Sequence, residues 1–84
     1  GSSPNVVRAI MSIATEGNTA KSVVTRLSGS PNVTAVHSTN GKWDLIADIQ
    51  ADSLEEFDKA INTLREMKEI SSSETNLLLS TYEF

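Results

Sequence analysis

The residues best suited to chemistry lie close together between positions 37 and 44, in the stretch HSTNGKWD. It holds the only His and the only Trp of the chain, His37 and Trp43, together with Asp44. A His beside a carboxylate is typical of general acid–base catalysis, because the carboxylate fixes the imidazole tautomer. No nucleophile, second base or metal-ligand cluster accompanies the pair. We therefore predict no catalytic residue and interpret His37 as an interface residue.

The dipeptide Asn40-Gly41 predicts a two-residue β-hairpin turn, because both residue types tolerate positive φ. With that turn, Thr39 pairs with Lys42 and His37 lies opposite Asp44. The Asp44 carboxylate then either buttresses the turn or accepts a charge-assisted hydrogen bond from a ligand ammonium. Trp43 is expected to face the core, with its indole N–H seeking a polar partner.

Apolar periodicity around the hairpin predicts four strands and two helices. The expected strands are 6–14, 32–38, 43–50 and 75–82, and the expected helices are 19–28 and 53–67. Gly29 is predicted to end the first helix in the left-handed conformation, and a Ser53–Glu56 capping box to begin the second. Three serines, 71–73, are expected to separate that helix from the last strand. The order β-α-β-β-α-β predicts a ferredoxin-like α+β fold with one four-stranded antiparallel sheet.

Alternation along the strands separates two faces of this sheet. The face predicted to meet the helices collects Val7, Ala9, Met11, Ile13, Trp43, Leu45, Ala47, Ile49, Leu77 and Leu79. The other face carries Ile10, Ile46 and Leu78, surrounded by Arg8, Ser12, Asp48, Asn76 and Ser80. The second strand adds Val36 or Ala35 to this face, depending on register. Such an apolar centre with a polar rim indicates an interface. We predict at least a homodimer that buries Ile10, Ile46, Leu78 and His37, the alternative being scattered surface hydrophobes.

Composition restricts the function further. The 84 residues make one domain, assigned to 5–83, with 1–4 interpreted as a cloning scar or disordered start. A domain this small is marginally stable alone, which favours oligomerisation. The net charge is −4 and the basic residues are scattered, so we expect no direct nucleic-acid binding. Without Cys we expect no disulfide, and with a single His in addition we expect no metal; the lack of Cys also fits a cytoplasmic protein. No apolar run approaches the ~18 residues of a membrane span, so we expect no membrane contact, and we expect no cofactor.

The element order and three short motifs resemble the ligand-binding domain of the leucine-responsive and asparagine-responsive regulators, the Lrp/AsnC family. The motifs are Pro31-Asn32-Val33, Asn40-Gly41-Lys42-Trp43-Asp44 and Ser73-Glu74-Thr75, and the resemblance covers roughly residues 6–82. Two positions depart from the family pattern: Lys42 replaces an acidic or small polar residue, and Glu69 replaces a Gly. The family's DNA-reading helix-turn-helix is also absent, so the domain is expected to be excised or stand-alone.

This resemblance implies an effector-binding and oligomerisation module of a transcription regulator, with sheets paired in a dimeric α/β-barrel arrangement. It implies that a small amino-acid-like effector binds at a subunit interface. The residues implied to line that site are Asn40, Gly41, Lys42, Trp43, Asp44, Ser73 and Thr75. Lys42 would repel an effector ammonium, so the resemblance does not settle how the effector is held.

Other functions are compatible with the same element order. A cofactor-independent monooxygenase or isomerase uses this dimeric architecture, and would need a pocket beneath the sheet lined by His37 and Trp43. An ACT-type amino-acid sensor shares the order but uses a Gly-rich first loop, of which Glu16-Gly17-Asn18 is a reduced version. An RNA-recognition fold requires exposed stacking aromatics on the sheet, which this sequence lacks.

Overall fold

The computed structural model describes residues 6–80 and 82–84, so the interpretation of residues 1–4 concerns a segment outside the described residues. The elements are β1 (Val7–Thr15), α1 (Ala20–Ser28), β2 (Val33–Ser38), β3 (Leu45–Ala51), α2 (Leu54–Arg65) and β4 (Ile70–Leu77). This order confirms the predicted ferredoxin-like fold. Among the described residues, no helix has the length and apolar character needed to cross a membrane.

The four strands form one antiparallel sheet in the order β2-β3-β1-β4. β1 is central, so Met11 lies between Ala47 of β3 and Thr75 of β4. Residues directly opposite each other in antiparallel strands have their side chains on the same face of the sheet. The list of paired residues therefore shows on which side of the sheet each paired residue lies.

The helices cover one face and close the hydrophobic core against it. Val23 and Leu27 of α1 and Phe57, Ile61 and Leu64 of α2 are buried there. The strand residues that meet them are Ala9, Met11, Ile13, Leu45, Ala47, Ile49 and Ala51, each at most 2% exposed. The predicted alternation is therefore confirmed for β1 and β3. We call this side the covered face and the opposite side the free face.

The last strand differs from its prediction. β4 begins at Ile70 and includes the three serines expected to break the pattern, of which Ser72 and Ser73 pair with Ala14 and Ile13 of β1. The central strand offers hydrogen-bond partners along its whole length, so pairing overrides the weak strand propensity of Ser. Leu77 faces the covered side but is 46% exposed, and Leu79 lies beyond the strand at 91%. Neither belongs to the core, contrary to expectation.

The observed helix ends agree with one of the two end signals predicted from the sequence. Ser53 caps α2 as predicted, because its hydroxyl accepts the Glu56 N–H at 3.1 Å. Glu56 reaches back one residue further than a standard capping box, accepting the Asp52 N–H at 2.8 Å. Gly29 keeps right-handed angles (φ −83°), so the left-handed prediction was wrong, and the positive φ falls instead at Gly17 (53°).

Candidate functional site

The β2–β3 hairpin is longer than predicted. The Thr39 N–H donates to the Asp44 carbonyl at 3.0 Å, which leaves a four-residue loop, 40–43. The Thr39 hydroxyl donates to the Trp43 carbonyl and accepts the Gly41 N–H at 3.4 Å. These side-chain bonds stabilise the loop without positive φ, so the two-residue Asn-Gly turn was wrong. The sequence feature that favours the four-residue loop over the two-residue turn is the Thr directly before Asn-Gly.

The longer loop changes the partner of His37. His37 lies opposite Ile46, not opposite Asp44 as predicted, because the register moves by two residues. A shift of two keeps its side chain on the free face. There Nε2 lies 3.2 Å from Oδ2 of Asp48, and the two side chains are 57% and 42% exposed. The His–carboxylate pair therefore exists, with a carboxylate that the sequence analysis did not select.

Asp44 ties the hairpin to the end of the central strand. Its Oδ2 accepts the Thr15 N–H at 2.8 Å and the Thr15 hydroxyl at 3.4 Å. Its own N–H donates to the Ile13 carbonyl at 2.9 Å, just before β3 begins. Asp44 thus buttresses the turn, one of the two roles considered for it. The side chain remains exposed, so this role does not prevent contact with a ligand.

The loop residues Lys42 and Trp43 stack on each other. The Lys42 ammonium lies 5.4 Å from the Trp43 ring centroid, within the range of a cation–π contact. Trp43 precedes β3 and is half-buried, so it does not join the core as predicted. The loop therefore presents one cation held over an aromatic ring.

Ser73 and Thr75 lie away from the hairpin within one chain. They are half-buried on β4, opposite Ile13 and Met11 respectively, which places both hydroxyls on the covered face. β1 separates β4 from β3. The structure thus does not bring the two halves of the predicted ligand site together in one subunit.

The free face gathers the residues predicted to form an interface. Ile10 lies opposite Asp48, and Ile46 lies between Ser12 and His37. Leu78 extends beyond β4, where its N–H donates to the Arg8 carbonyl at 2.9 Å, and it is 40% exposed. A shallow cavity of about 170 Å³ opens on this side; its lining includes Arg8, Ile10, Thr34, Asp48, Gln50 and Leu78. No element within the described residues covers this face.

Neither a metal cluster nor a cavity shared by His37 and Trp43 is found among the groups and depressions described for residues 6–80 and 82–84. No three His, Asp or Glu side chains of residues 6–80 and 82–84 are grouped to hold a metal ion. Five surface depressions of 170 to 410 Å³ are lined by residues other than His37 and Trp43.

The domain is therefore a ferredoxin-like α+β domain with one sheet face covered by helices and one left free. Comparison with known proteins identifies the family. The sequence model of the family described as the Lrp/AsnC ligand binding domain matches residues 8–83, which is nearly the whole chain. The chain therefore belongs to this family. The resemblance inferred from the motifs is confirmed.

Similar structures support the fold, and one relative similar in sequence is an enzyme. The chain is 32% identical over 77 residues to a homocitrate synthase of Sulfurisphaera tokodaii, covering 90% of this chain but only 17% of that relative. The crystal structure of FFRP-DM1 is 27% identical, with a TM-score of 0.84 over 87% of this chain and 99% of that one. AsnC of E. coli is 21% identical, with a TM-score of 0.84 over 93% of this chain and 54% of that one.

A transcriptional regulator of Neisseria meningitidis has been solved as a complex with L-Met. It is 12% identical to this chain, with a TM-score of 0.79 over 93% of this chain and 53% of that one.

Proposed function

We propose that this domain is the effector-binding and assembly module of a Lrp/AsnC-type transcription regulator, and that it is not an enzyme. The observation that carries the proposal is the free face, where Ile10 and Ile46 lie uncovered at the centre of the sheet in a chain that the family model matches from residue 8 to 83. We expect two such faces to pack together, because an 84-residue domain gains stability from burying them.

The effector site in this proposal is shared between subunits. Asp44 and the loop 40–43 would come from one subunit, and Ser73 and Thr75 from another, since β1 separates them within a chain. The exposed Asp44 carboxylate would accept a bond from an ammonium, while Lys42 or the loop N–H groups would meet a carboxylate. An amino acid carries both groups, and the complex of the neisserial regulator with L-Met supports this ligand class.

Calorimetric titration with the amino acids, followed by sedimentation with and without the tightest binder, tests this function. We expect one amino acid to bind and to change the oligomer size, because a shared site links ligand binding to assembly. Failure of every amino acid to bind would contradict the proposal.

Asp44 variants then locate the site. Asp44→Asn keeps an oxygen acceptor for the Thr15 N–H but removes the charge, and should weaken effector binding about tenfold or more. The matched control is Asp58→Asn, an exposed acid on α2 away from the hairpin. Lys42→Asp introduces the acid that is common in the family and should change which amino acid binds best. Unchanged affinity in Asp44→Asn would exclude the hairpin.

A second candidate function rests on the homocitrate synthase relative. Its matching segment is a sixth of that protein, so the same domain type occurs as a part of a biosynthetic enzyme. We propose as the alternative that the domain is the effector-binding part of such an enzyme. Sequencing the complete coding region distinguishes the two: a DNA-binding helix-turn-helix supports the first candidate, and a synthase domain supports the second.

A third possibility is a small cofactor-independent enzyme, which would require a pocket lined by His37 and Trp43. His37 lies on the free face and Trp43 in the loop, and they do not contact a common cavity among those described above. Loss of turnover of some substrate in a His37 variant would support the enzyme.

The isolated domain is also not expected to bind duplex DNA. A submicromolar gel shift that weakens steeply with salt would contradict this expectation.

A further inference from the structure

The His37–Asp48 contact lies within the apolar centre of the free face. The two residues come from neighbouring strands, and their atoms Nε2 and Oδ2 are 3.2 Å apart. Ile46 lies directly opposite His37, and Ile10 lies directly opposite Asp48. A titratable pair therefore sits between the same two isoleucines that would be buried if this face were covered.

In a single subunit the pair has little energetic weight. The His37 side chain is 57% exposed and the Asp48 side chain 42%, and exposed ion pairs contribute at most about 1 kcal/mol. Covering the face removes water from both groups. An ionised Asp48 buried beside a neutral imidazole is an uncompensated charge, whereas the same carboxylate beside an imidazolium is a paired one.

The other charges on the free face act in the same direction. The ionisable groups that the strand register places on this side are Arg8 from β1, Asp48 from β3, Glu74 from β4, and His37 from β2. With His37 neutral, one positive and two negative groups give each face a net charge of −1. Protonation of His37 changes this to 0, so two identical faces no longer carry like net charge.

We propose that protonation of His37 strengthens the association of two free faces. The inference rests on the proposed function, because it assumes the sheet-to-sheet dimer. Dimerisation should take up protons and weaken as the pH rises through the range in which histidines titrate, roughly 5 to 8. Effector binding at a shared site would follow the same dependence.

Sedimentation equilibrium of the whole 84-residue chain at about pH 5.5 and about pH 8, at constant ionic strength, tests this proposal. We expect the dimer Kd to be roughly tenfold higher at the upper pH, because association takes up at least one proton per dimer. His37 is the only His of the chain, so no other imidazole contributes to the difference.

Two variants separate the charge of His37 from its size. His37→Gln keeps a polar side chain but cannot be protonated, and should have the weaker Kd at both pH values. His37→Arg is positive at both and should have the tighter Kd at both. Circular dichroism establishes that each variant is folded.

The outcomes distinguish this inference from the function on which it rests. A wild-type dimer with the same Kd at both pH values, or a His37→Gln variant that retains the pH dependence, overturns the inference and leaves the dimer in place. A wild-type monomer at both pH values, at micromolar concentration, overturns both the sheet-to-sheet dimer and the inference.

Discussion

The two faces of the sheet are built by the same strands and have different relations to the rest of the chain. On the covered face Met11 and Ala47 are opposite one another and fully buried under the helices. One residue earlier in each strand, Ile10 and Ile46 point to the other side and stay half-exposed beside polar neighbours. Burial of the covered face is completed within the chain, whereas no element among residues 6–80 and 82–84 buries the free face.

The covered face should dominate the stability of the subunit. Met11→Ala leaves a cavity in a fully buried site, and we expect a loss of about 2–5 kcal/mol in the free energy of unfolding, measured by urea denaturation. The loss should not depend on protein concentration. Ile10→Ala, one residue away on the free face, is the control, and its loss should shrink as the protein is diluted. Equal, concentration-independent losses would contradict the distinction between the faces.

The free face should dominate association. Ile46→Asp places a charge among residues that we expect to be buried between subunits, and should weaken dimerisation by about 2–4 kcal/mol. Sedimentation velocity should show a monomer with unchanged far-ultraviolet circular dichroism. The matched control is Asn62→Asp, which adds the same charge on the exposed side of α2 and should leave the dimer intact. If the Ile46→Asp variant remains dimeric, Ile46 does not lie in the interface.

The capping residue of α2 affects the covered face indirectly. Ser53→Ala removes the acceptor for the Glu56 N–H, and should cost about 1 kcal/mol in the free energy of unfolding. Thermal denaturation monitored by circular dichroism measures the change. Ser53→Asp, which keeps a capping acceptor, should lose little, and dimer affinity should stay unchanged in both variants. A larger effect on association than on unfolding would contradict this assignment.

The smallest expected effect concerns the glycines that flank α1. Gly29→Ala should be neutral or stabilise the subunit by up to about 1 kcal/mol, since Gly29 has right-handed angles and an added Cβ would lie 3.5 Å from the Arg26 carbonyl oxygen. Gly17→Ala, at φ 53°, should destabilise by about 1 kcal/mol. The two melting temperatures provide the comparison, and a reversed order would contradict the backbone assignment.

The candidate site was predictable only in part. Alternation along β1 and β3 was enough to place Ile10 and Ile46 on one side, because a strand has a fixed period of two. The partner of His37 was not predictable, because the Thr39 hydroxyl stabilises a longer loop than Asn40-Gly41 indicates. The bond from Thr15 to Asp44 joins positions 29 residues apart, and local patterns carry no information on such a contact.

The sequence by itself determined the element order, the family and the side of the sheet that each residue of β1 and β3 occupies, since these follow from local periodicity and short motifs. Only the tertiary structure decided where β4 begins, that Asp48 pairs with His37, and that β1 separates Ser73 from the hairpin. The physical reason is that backbone pairing between strands depends on the length of the partner strand and on the loop that joins them. Both are properties of residues distant in the sequence.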